Sequence, residues 1–185
     1  LVFGSSSLIV TYYTFGGNYA LNCTNTGILS LWVGYGTFNA VNAGTVNVDG
    51  NLTLGGTAGF NGRLYAPSSG TIYVAGTWDN TWAGTFYAGS GTVVFDGGSA
   101  QIISGAGDSA AFNWVVIDST GTKTLGAAMN IDGGLRIVSG TLLTGGQPVY
   151  YGGATWDSSA NGGTFNGASG TLYFDRTSNQ DIAFV

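Results

Sequence analysis

The stretch GTFYAGSGTVVFDGGSAQI, residues 84–102, returns as GTFNGASGTLYFDRTSNQDI, residues 163–182. The copies align at an offset of 79: Gly84 with Gly163, Phe86 with Phe165, Gly91 with Gly170, Phe95 with Phe174 and Asp96 with Asp175. Just ahead of each, GTWDN at Gly76 pairs with ATWDS at Ala154. A weaker third copy, GTFNAVNAGTVNVDG, begins at Gly36. A second word threads between these, with VNVDGNLTL from Val46 matching MNIDGGLRI from Met129. LNCTNTGILSL from Leu21 fits the same frame with one residue inserted, which puts Cys23 in the place of Val48 and Ile131.

The smallest shared unit is Gly-Thr-apolar-x-apolar, closed by Gly or Asp-Gly. It stands at Gly44, Gly70, Gly91 and Gly170, and more loosely at Gly140. Val46 and Val48, Ile72 and Val74, Val93 and Phe95, and Leu172 and Phe174 each lie two apart, on one side of a strand. Apolar alternation bounded by Gly and Asp-Gly predicts short strands joined by tight turns, recurring at about twenty to thirty residues. Two architectures hold short strands at that density. A sandwich does not require each strand to repeat the last, whereas a solenoid does, because every coil stacks on equivalent side chains above and below. The repeats predict an all-β chain, a β-solenoid of the parallel β-helix kind with six to eight irregular coils. A β-sandwich is the alternative.

Composition agrees. Of 185 residues only 7% are charged, against roughly 25% in an ordinary domain. All nine acids are aspartates, and histidine is absent. Without glutamate, and with one Lys and one Met, most good helix formers are missing. A hydrophobic content of 44% argues against a disordered chain. A net charge of −5, thinly spread, gives no footprint for nucleic acid. The most apolar region, residues 8–21, is glycine-broken and too short to span a bilayer. Cys23 is the single cysteine, so no intrachain disulfide forms.

The segments GTFNGASGTLYFD and GTFYAGSGTVVFDGGSAQIISG resemble the Gly/Thr/Asn-rich repeats of large secreted bacterial surface proteins. So does the FNWVVIDSTGTKTLG that follows the latter, with its apolar-Asn-Ile-Asp-Gly strand. The resemblance covers roughly Thr77 to Ile182. It implies an adhesin-like or surface-layer-like β-solenoid outside the cell, and it carries no catalytic residue with it.

The chemistry-bearing residues are few. Asp49, Asp96 and Asp132 precede glycine at repeat-equivalent turns, and Asp175 is their equivalent before Arg176. Aspartate suits such turns for its backbone hydrogen bonding. Stacked carboxylates could also take Ca2+. A polysaccharide-degrading β-helix enzyme would need two carboxylates, drawn from Asp79, Asp157 or Asp181, to converge on one groove. With no His or Glu, general acid–base chemistry has few instruments, and a Cys23 nucleophile has no basic partner. No enzyme is expected. Trp78 and Trp156, each followed by Asp, occupy matching places. Buried, they fill a coil corner; exposed, they would stack on sugar rings of a surface polysaccharide. Asn22 and Asn51 fall in N-glycosylation triplets, which arise by chance in an Asn- and Thr-rich chain.

Between the paired inward residues lie Asn47, Tyr73, Val94, Leu143 and Tyr173, four of the five apolar or aromatic. A soluble strand ordinarily carries polar groups there, so the pattern predicts a covered outer face. In the first long copy Gln101 is followed by the strand FNWVVIDSTG, and in the second Gln180 is followed by DIAFV. Leu1, Val2 and Phe3 align with Val115, Val116 and Ile117 of the segment that the second copy lacks. The expectation is one repeat domain over 1–185 that forms a homopolymer. Residues 1–35 of one subunit would complete the last coil of the next, and 36–185 would form the repeat coils. Leu1, Val2, Phe3, Ile182, Phe184 and Val185 would then lie at the joint, with Tyr73 and Tyr173 on the covered face. Repetition of such a heterologous contact gives a filament, fibre or layer. A piece cut from a longer repeat protein would read the same way.

Overall fold

The computed structural model describes residues 8–10, 27–28, 30–33, 36–55, 62–82, 84–105, 111–158 and 162–183, with only the backbone at 8–10, 27–28, Gly36 and Ala183. Every strand pairing among them is parallel, and no helix occurs. The protein is an all-β solenoid, not a sandwich or barrel. Each strand residue stacks on one 19 to 27 residues further along, as in Lys123 on Leu142, Val46 on Ile72 and Gly55 on Trp82. That spacing is one turn of the coil.

Each turn crosses three faces in a fixed order. The first face stacks Leu8–Val10, Leu31–Val33, Leu52–Gly55, Trp78–Trp82, Gln101–Ser104, residues 122–125, residues 141–143 and Thr164–Asn166. The second stacks Gly36–Asn39, Gly62–Tyr65 and Thr85–Tyr87. It resumes at Phe112 and continues through residues 129–131, Val149–Tyr151 and Leu172–Phe174. The third stacks Gly27–Ile28, Thr45–Val48, Thr71–Val74, Thr92–Phe95, residues 114–117, residues 134–137, Thr155–Asp157 and Asp181–Ala183. In the middle of the molecule the corners stay in strand conformation, so Phe112–Leu125 and Met129–Leu143 each run through three faces. The described strands within 1–35 belong to this same stack, Leu31 pairing with Leu52.

Alternation decides what goes inside. On the third face Val46, Ile72, Val93, Val115, Leu135 and Trp156 form one buried column, and Val48, Val74, Phe95, Ile117 and Ile137 the next. These β-branched and aromatic side chains fit a pleated surface, and each covers the one below it. Glycine marks corners where successive turns press together. A Cβ on Gly140, whose φ is 77°, would strike the carbonyl of Ser119.

The long repeat does not keep to one face. From Trp78 on the first face the chain crosses eleven faces to reach Trp156 on the third, which is two-thirds of a turn beyond three whole turns. Each copy is therefore rotated by one face, yet its interior is rebuilt. Trp78 meets Phe86 edge-on at 4.9 Å and Phe95 at 6.3 Å; Trp156 meets Phe165 edge-on at 4.8 Å and Phe174 at 6.3 Å.

That rotation corrects the expected outer face. Asn47, Tyr73 and Val94 do stack in one row of the third face. Leu143, however, lies on the first face, and Tyr173 on the second, stacked on Tyr150 at 4.9 Å. Tyr73 and Tyr173 thus share no surface. Aligning the Gly-Thr units as though they were equivalent rungs misplaces them, because one unit makes a face and not a turn.

Candidate functional site

The last described rung is covered on one side only. Phe174 stacks on Tyr151, and Ile182 on Trp156. Both inner partners are 0% exposed, while Phe174 and Ile182 are 44% and 38% exposed. Leu172 and Phe165, inward in the same rung, are half-buried, and Tyr173 is exposed. Of the residues expected at a joint, Ile182 is thus an uncovered core position, and Tyr173 stands on the outer side of the same rung. Leu1, Val2, Phe3, Phe184 and Val185 lie outside the described residues, as do Cys23 and Asn22.

A buried polar column runs along the corner between the third and first faces. Gln101 accepts from the Gly97 N–H at 3.1 Å and donates to Val74 O at 2.8 Å and Gly76 O at 2.6 Å. Lys123 stacks directly on Gln101 and is fully buried. Its Nζ donates to Gly97 O and to Ser119 Oγ, both at 2.6 Å, and Ser119 Oγ donates to Gly97 O. Burial pushes the Lys123 ammonium below its ordinary value, and the Asp96 carboxylate draws it partly back. The column satisfies corner carbonyls that the ladder leaves over, a structural duty. Gln180 does the same in the second copy, donating to Tyr151 O and Gly153 O at 3.0 Å each. The Gln-x-Ile segment was visible in sequence, but its task was not.

The aspartates divide by environment. Asp79 accepts from the N–H and hydroxyl of Thr81 in a local turn, and Asp157 lies 3.6 Å from the exposed Arg136. Asp79 is on the first face, apart from Asp157 and Asp181, which stand on neighbouring turns of the third, Asp181 beside Thr155 and Asp157 beside Ala183. Among the described residues no three metal-ligating side chains come together, so the Ca2+ reading gains no donor set. Asp96 differs from the rest. Burial, with the neighbouring Asp49 and Asp118 charges adding to it, holds its carboxyl above the usual range, against its own backbone N–H and Lys123. It also borders a groove of about 460 Å³ shared with Thr45, Asn47 and Tyr73. Burial, then the Asp175 charge, likewise raises Asp132.

Trp78 and Trp156 are fully buried and offer no face to a ligand; they are corner fillers. The exposed tryptophans are Trp32 and Trp82, both tied to Gly55, Trp32 through an Nε1 hydrogen bond to its carbonyl at 2.7 Å and Trp82 through strand pairing. Strict alternation in Leu31-Trp32-Val33 already points Trp32 outward. Tyr65 and Tyr87 stack on one another at 4.3 Å on the second face, which occupies one ring face of each.

No protein-family model matches the chain, and no match is found among curated proteins or solved structures.

Proposed function

We propose that this chain is a structural protein of the cell exterior, a β-solenoid that stacks end to end with copies of itself into a filament or layer. The observation that carries the reading is the uncovered rung at Thr164–Ala183, where inward positions that are sealed one turn earlier meet solvent. A solenoid surface of that kind has free backbone donors and acceptors on three strand edges and an apolar centre, the two components of strand addition. Phe165, Leu172, Phe174 and Ile182 are the inward positions of that rung. A charged content of 7% and a single lysine suit an exposed, protease-rich setting, in line with the resemblance to surface-protein repeats. The adhesin reading rests on a different surface, the third-face groove.

Analytical ultracentrifugation and negative-stain electron microscopy at rising concentration test the assembly. Rods lengthening with concentration are expected. Phe174→Asp with Ile182→Asp should leave monomers of unchanged secondary structure. A chain that is monomeric at millimolar concentration, or fibres that tolerate both aspartates, would refute the reading.

A further inference from the structure

We infer that the third-face groove bordered by Thr45, Asn47, Tyr73 and Asp96 is a binding site for an uncharged sugar ring of a neutral polysaccharide. Its walls come from three successive turns. Thr45 and Asn47 stand on one strand, Tyr73 stacks directly on Asn47, and Asp96 follows Phe95, which stacks on Val74. The volume of about 460 Å³ falls in the range of small-ligand sites, roughly 300–1,000 Å³.

The chemistry at the walls is what a polyhydroxylated ring needs. Tyr73 brings an aromatic ring for stacking, and its hydroxyl has no hydrogen-bond partner among the described residues. Asn47 spends one amide hydrogen on Asp49 Oδ1 at 3.1 Å, leaving its carbonyl and second hydrogen for a ligand. The Thr45 hydroxyl is on an exposed residue at the rim. Asp96 borders the groove as its acidic wall, and its Oδ1 is buried without a hydrogen-bond partner among the described residues. Alternating donors and acceptors beside one ring recognise vicinal hydroxyls.

Charge selects the class of sugar. Asp49, Asp96 and Asp118 all act on this corner, and the nearest cation, Lys123, is buried and engaged with Gly97 and Ser119 on the inner side. Uronic acids, sulfated sugars and phosphates would be repelled. A metal-bridged ligand lacks its donors among the described residues. The site is independent of end-to-end stacking, because it lies on the side of the solenoid.

The test is binding of the full chain to cellotetraose, xylotetraose, mannotetraose, laminaritetraose and maltotetraose, followed by isothermal titration calorimetry with the best of them. Saturable binding of at least one is expected. Tyr73→Ala should weaken it about tenfold or more, and Asn47→Ala or Thr45→Val about three- to tenfold, the usual range for one lost polar contact. Thr45→Val alters an exposed residue, so it keeps the test open should Tyr73→Ala fail to fold. Absence of binding to all five would overturn the inference. So would binding that is indifferent to Asn47→Ala and Thr45→Val, or a preference for Ca2+ or an acidic glycan.

Discussion

Truncating Gln101 to alanine separates a load borne inside the stack from the same load at its margin. The side chain is almost wholly buried, and its removal frees three partners at once. Val74 O keeps a second donor, the Asp96 N–H at 3.3 Å. Gly76 O and the Gly97 N–H are left with none among the described residues. A buried polar group deprived of its partner costs about 1–3 kcal/mol, and the Gly97 N–H is the buried one of the two, so Gln101→Ala should cost about 1–3 kcal/mol. That is a large fraction of the roughly 5–15 kcal/mol that holds a domain folded. Gln180 grips two carbonyls in the same way, but in a rung that borders solvent, where water replaces the amide. Gln180→Ala should therefore cost under about 1 kcal/mol in the monomer. Guanidinium unfolding followed by tryptophan fluorescence at high dilution measures both. Equal costs, or a loss below about 1 kcal/mol for Gln101→Ala, would refute the view that the corner glutamine is a buried structural plug.

Gly134→Ala should cost about 1–3 kcal/mol, because a Cβ there falls 2.6 Å from the Trp114 ring and must push it off the sheet; a shifted fluorescence maximum would accompany the loss. Trp156→Ala should cost about 3–5 kcal/mol in the same unfolding assay, as a buried indole at the centre of the Phe165 and Phe174 contacts. Stability should also depend on pH at both ends. Asp96 and Asp132, held above 3.8, keep protons in the folded state that the unfolded chain has shed, so stability falls as pH rises from 3.8 through their raised values. Lys123 has the opposite sense: between its lowered value and 10.5 the unfolded chain alone is protonated, and stability climbs with pH. Urea midpoints across pH read both slopes, and Asp96→Asn should flatten part of the acidic one.

The solenoid was legible because alternation in Thr45–Val48, Thr71–Val74 and Thr92–Phe95 is local, and parallel stacking merely sets those words one on another. Which surface each word occupies was not legible. A face takes only about seven residues, so a slip of one face changes the neighbours completely while leaving the word intact. Gly170-Thr-Leu-Tyr-Phe reads like Gly91-Thr-Val-Val-Phe, yet one sits on the second face and the other on the third. The groove was hidden for the same reason. Sequence sets Tyr73 outward with Asn47, but Asp96 reads as a turn residue, and the three come together through turns of 26 and 21 residues, unequal because the corners differ in length. The buried lysine was hidden by type, since a charged residue on an inward position contradicts the alternation that identifies the strand.

The unit that recurs is therefore a corner with its plug and its aromatic filling: Trp78 with Phe86, Phe95 and Gln101, then Trp156 with Phe165, Phe174 and Gln180. Such a unit needs only the turn beneath it, so it can sit on any of three corners, and eleven faces serve as well as twelve. A chain extended by the same repeat would place successive copies on successive faces around the axis. Side decoration would then wind around the rod while the axial stacking surface stayed the same at every turn. If the proposed stacking and binding both hold, growth along the axis and recognition on the side would change independently. On the proposed reading, a substitution at Tyr73 would alter what the rod binds, and one at Phe174 or Ile182 would alter whether a rod forms.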